Sequence, residues 1–107
     1  MQKVFAVGLN ANTINAMLIE FDPIKSQRNA AERQLPFDLV GGLEWGAALV
    51  VEDTRKAYPE RRFEAIGPIG QRLHVVVFAA IAGGIRVISF RKANAREGKR
   101  YEKSRTD

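Results

Sequence analysis

The residues best suited to chemistry in this chain are three arginines, Arg62, Arg86 and Arg91, each beside apolar neighbours in runs that read as strands. A guanidinium on a rigid strand presents a fork of N–H donors that matches two oxygens of a phosphate. Lys92 and Arg96 follow closely and could hold neighbouring phosphates, and Lys25 offers another cation from an earlier segment. Arg86 and Arg91 are five residues apart, so a regular strand would send them to opposite faces. Both can serve one site only if a bulge intervenes or Arg91 lies beyond the strand end. The competing reading is a solvated sheet edge, with ion pairs to Glu60, Glu64 and Glu97.

Proton-handling groups are sparse. His74 is the only histidine and has the right intrinsic pKa, but its apolar run, 73–78, marks it as a packed strand residue. Tyr58, Tyr101 and Glu64 are other proton handlers, each with an ordinary structural role as its rival. Trp45 reads as core, against stacking on a base. With no cysteine, one histidine and scattered carboxylates, no metal cluster is expected. No glycine-rich nucleotide loop appears, so no cofactor is expected.

The elements that must position these groups lie in a chain of 107 residues, long enough for one small domain with a modest core. No apolar run approaches the roughly 20 residues of a membrane helix. Residues 1–85 carry nine cations and nine acids, whereas residues 86–107 carry eight cations against three acids. The whole net charge of +5 therefore sits at the C-terminal end, which suits a nucleic acid or an acidic partner.

Residues 1–16 read as an N-terminal extension, non-native or disordered, and the domain, 17–107, as beginning near Met17. Residues 18–22 alternate like a strand. Asp22-Pro23 opens a helix through about Arg33, and Phe37, Leu39, Val40 and Leu43 suggest a second, short one. Residues 47–52 read as a strand, and three more follow at 61–66, 72–78 and 85–92, with glycine-bearing turns between them. Asn94 with Glu97 approximates a capping box for a basic C-terminal helix. The expected class is α+β: an antiparallel sheet of four to five strands with two N-terminal helices and a C-terminal helix.

Residues 19–103 contain Phe21-Asp22-Pro23-x-Lys25 with Asn29, Glu32-Arg33-x-Leu35-Pro36-Phe37 and Val51-x-Asp53. They continue with Glu60-Arg61-Arg62-Phe63-x-Ala65-Ile66-Gly67, Arg72-Leu73-x-Val75-Val76-Val77-Phe78, Arg86-Val87-Ile88-Ser89-x-Arg91-Lys92-Ala93 and Glu97-x-x-x-Tyr101. In this order and spacing the chain resembles the BrnT family of toxins from bacterial type II toxin–antitoxin pairs. The resemblance implies a RelE-like fold and a cytoplasmic ribonuclease that inhibits translation by cutting RNA. It also implies a BrnA-like DNA-binding antitoxin, through which the toxin meets DNA only indirectly.

A metal-free ribonuclease lets the ribose 2′-OH attack the adjacent phosphate, and needs a proton acceptor, help for the leaving oxygen and cations for the developing charge. Arg62, Arg86 and Arg91 are the expected catalytic cations, with Lys25, Lys92 and Arg96 as RNA-binding residues. Two departures from the family matter. Glu32-Arg33-Gln34 stands where relatives often have Lys-His-Gly, and residues 79–84 lack the Thr and Arg common in that turn. A catalytically impaired, antitoxin-binding module that acts in operon autoregulation is therefore the alternative.

Overall fold

The computed structural model describes residues 17–106. The expected extension at 1–16 lies outside the described residues. A strand, β1 (Leu18–Glu20), leads into helix α1 (Pro23–Arg33), two 3₁₀ segments (Phe37–Gly42 and Trp45–Ala47) and β2 (Leu49–Asp53). Then come β3 (Arg62–Ile69), β4 (Arg72–Ile81), β5 (Gly84–Lys92) and helix α2 (Ala95–Thr106). The five strands form one sheet in the order β1-β5-β4-β3-β2.

The class is α+β, with two corrections. β1 runs parallel to β5, so the sheet is mixed, although β2 to β5 form the expected antiparallel meander. The second N-terminal helix is a 3₁₀ segment, as Gly41 and Gly42 would favour by weakening an α-helix by about 1 kcal/mol each.

Local signals explain the ends of α1. The Asp22 carboxylate accepts from the Ile24 N–H at 2.9 Å, and Pro23 fills the first turn. The helix stops at Gln34, which adopts the left-handed conformation (φ 58°) that glycine takes at lower cost. Asn29 donates to the Leu35 carbonyl oxygen at 2.7 Å and to that of Phe90 at 2.9 Å, tying α1 to β5.

One face of the sheet packs against α1 and the 3₁₀ segments. Its core joins Phe37, Val40, Leu43 and Trp45 to Phe63, Phe78, Ile85 and Phe90. Trp45 is core, as expected, with its ring edge-on to Phe78 and its indole N–H donating to the Val40 carbonyl oxygen. The opposite face is covered over only part of its area, where α2 lays Tyr101 with Ala93 against Ile66, Val75, Leu49 and Leu73. The rest of that face remains open, and it carries the arginines.

Candidate functional site

Residues paired across a sheet share a face, so the register shows which side chains meet. Glu20 pairs with Arg86, Arg86 with Ala79, Ala79 with Arg62, and Arg62 with Asp53. One row thus crosses all five strands, with an acid at each end and two arginines flanking an alanine. At roughly 4.8 Å per strand the Arg86 and Arg62 Cα atoms are about 10 Å apart, within reach of one phosphodiester for such long side chains.

Arg91 joins them because the strand is irregular. Val77 pairs with Ser89 but Phe78 pairs with Val87, which leaves Ile88 as an extra residue. This bulge reverses the parity that would otherwise separate Arg86 from Arg91. Arg91 now pairs with Val75, four residues along β4 from Ala79, and so occupies the same face as Arg86.

Each guanidinium is held differently. Arg86 donates from Nε to Glu20 at 2.7 Å and from Nη1 to Glu60 at 2.6 Å. These hydrogen bonds, Glu20 first, raise its pKa further and fix its charge. Arg62 lies over the Tyr58 ring at 4.0 Å, while the Tyr58 hydroxyl donates to Asp53 at 3.1 Å. A hollow of about 220 Å³ beside this cluster is lined by Tyr58, Glu60 and Arg62. Arg91 makes a two-pronged pair with Glu97, at 2.8 and 2.7 Å. Glu97 also accepts from the Asn94 N–H at 2.9 Å, and its own N–H donates to the Asn94 side chain at 2.8 Å. The expected capping box is present, and it doubles as the anchor for Arg91. The hydrogen bond from Arg91, with help from Asn94, outweighs burial and holds the Glu97 carboxyl down at about 2.

The other expected site residues do not all join this face: Lys92 pairs with His74, on the side that α1 covers, and Lys25 lies on α1 itself. Lys25 is exposed on α1, beside the edge of β5, and Lys92 is exposed at the end of β5. Arg96 is exposed in the first turn of α2 and shares a side with Arg100, which reaches Glu64 at 3.5 Å. His74 faces the core: it is 5% exposed, 5.6 Å from the Phe90 ring, with Nδ1 2.8 Å from the Arg72 carbonyl oxygen. Burial pushes its pKa down. Tyr101 donates to the Ala47 carbonyl oxygen, a structural use of its hydroxyl.

Sequence reasoning missed Glu20 and Arg100. Glu20 lies 66 residues from its partner Arg86, so no local spacing announces the pair. The segment 79–81, read as a turn, belongs to β4, and the turn itself is Ala82-Gly83.

Among the described residues no group of three His, Asp or Glu side chains could hold a metal ion. Nor is any described helix long and apolar enough to cross a membrane. The arrangement offers phosphates three positioned guanidiniums, with carboxylates alongside that can accept a proton. No curated protein matches the chain. A family model described as the ribonuclease toxin BrnT of type II toxin–antitoxin systems matches residues 21–97, and the chain belongs to that family.

Proposed function

We propose that this protein is a metal-independent endoribonuclease toxin that cuts RNA over the Arg86–Ala79–Arg62 row. The observation that carries the reading is the β5 bulge at Ile88, which brings Arg91 to the face of the other two arginines. Arg62 and Arg86 bind the scissile phosphate and stabilise the extra negative charge as the 2′-oxygen attacks phosphorus. Glu60, on the rim beside Arg86, accepts the 2′-hydroxyl proton. The bond from phosphorus to the 5′-oxygen then breaks as that oxygen takes a proton from solvent water, leaving a 2′,3′-cyclic phosphate on one fragment and a 5′-hydroxyl on the other. The exposed Arg86 ion pairs are screened by solvent, so an incoming phosphate can displace them. Arg91, Lys25, Lys92 and Arg96 hold flanking phosphates. The toxin acts in the cytoplasm and is neutralised by a BrnA-like DNA-binding antitoxin, which supplies its only link to DNA.

A second reading has its own support. Arg86 sits between two carboxylates and Arg91 is committed to Glu97, as in a site kept for structure and antitoxin binding alone. One experiment separates the readings: incubation of end-labelled RNA with purified protein in excess EDTA, beside Arg62→Ala and Arg86→Ala. Removing one guanidinium should slow cleavage by about 10²–10³-fold while the fold persists. Cyclic-phosphate ends that disappear in the variants support the ribonuclease. Intact RNA with folded parent protein leaves the binding module.

A further inference from the structure

The seam beside β5 differs from the open face in how its cations are matched. On the open face and its rim, four guanidiniums are matched to carboxylates, Arg86 to Glu20 and Glu60, Arg91 to Glu97, Arg100 to Glu64 and Arg55 to Asp53, while Arg62 rests on the Tyr58 ring. Around the edge of β5 the pattern reverses. β1 pairs with β5 only as far as Arg86, and beyond that point α1 lies along the strand, tied to it by Asn29. Two hollows, of about 130 Å³ and 300 Å³, follow one another along this seam. Their walls carry Lys25, Arg28, Arg33, Arg91 and Lys92 against one acid, Glu32. Among the described residues Lys25, Arg28, Arg33 and Lys92 have no ion-pair partner.

We propose that the seam between α1 and β5 is a second nucleic-acid site, holding the sugar–phosphate backbone of single-stranded RNA beside the cleavage point. The proposal rests on the ribonuclease reading and extends it from the cleavage point to the path of the strand. Ser89 and Arg91 belong both to the open face and to the walls of the seam, so a strand can pass from one to the other around β5. Lys25 and Arg33 are separated by about 12 Å along α1 at 1.5 Å per residue, and Arg28 adjoins Lys25 one turn on. A ligand whose negative charges recur along its length fits such a line, and contacts of this kind position a strand without reading its bases. A protein segment docks chiefly through apolar anchors, but here the large apolar wall residues Leu35 and Phe37 are themselves buried and Ile88 is half-buried.

The test is the combined variant Arg28→Gln, Arg33→Gln and Lys92→Gln, whose retained fold is checked by thermal melting. The probe is a fluorescent single-stranded 2′-O-methyl oligoribonucleotide, which lacks the attacking hydroxyl and stays whole. Its affinity is followed by anisotropy across a salt series, while cleavage of unmodified RNA is measured in parallel. Each single-strand phosphate contact contributes roughly 0.7 to the salt slope, so the variant's slope should be shallower by about 2. Its affinity should fall on the order of 100-fold at about 0.1 M salt. Equal affinity and slope in a parent that cleaves RNA would overturn the seam and leave the ribonuclease standing. A parent that neither cleaves nor binds RNA removes both. Unchanged probe binding with a lost grip on the antitoxin would make the seam a protein interface and also overturn the proposal.

Discussion

Glu97→Gln removes the charge that grips Arg91 but keeps the side chain's size and an oxygen for the Asn94 N–H. The carboxyl ordinarily titrates near 4.5 and is held here at about 2. By linkage that difference is worth about 3 kcal/mol at neutral pH. The Arg91 side chain is 34% exposed, so solvent screens part of the pair and about 2 kcal/mol is the expected loss. The folded pKa is depressed. This stability is therefore complete above the unfolded value and disappears as pH falls through the folded one. Urea denaturation of parent and variant should show a gap of about 2 kcal/mol at neutral pH, falling to less than half of that by about pH 3. A gap that stays constant across this range, or no gap at neutral pH, would refute the reasoning: the ion pair would not be what holds α2 and Arg91 in place.

Three further outcomes are expected. A Cβ built on Gly84 would overlap the Leu18 carbonyl, so Gly84→Ala should push β1 off the sheet and cost about 2 kcal/mol or more. Lost amide-exchange protection at residues 18–20 would report it. Gly98 has open space around its missing side chain within α2, so Gly98→Ala should raise the melting temperature by the equivalent of about 1 kcal/mol. His74→Gln should leave the cleavage rate unchanged, because the ring faces the core. Its pKa is lowered by burial, so the stability that the parent owes to His74 is complete above its ordinary value near 6.5. As pH falls below that value the contribution declines, and stability curves of parent and variant should converge there.

Much of the frame was legible in the residues. Alternating apolar runs announced the strands, Asp22-Pro23 the start of α1, and Asn94 with Glu97 the cap of α2, because each of these signals acts within a few residues. The short 3₁₀ segment at Phe37–Gly42 was read as a helix, since its apolar spacing suits either form. The cations were also visible as residue types. What each one touches was not.

Residue types and local spacing established the class of fold, the polarity of charge along the chain and which arginines are suited to phosphate. Long-range contacts put Arg62, Arg86 and Arg91 on one face, set Glu20 and Glu60 beside one of them, and brought Lys25, Arg28, Arg33 and Lys92 together beside β5. The difference is one of range. Side-chain period is a local property of a strand, whereas the register that slips at Ile88 and the parallel docking of β1 depend on segments tens of residues apart closing on one another.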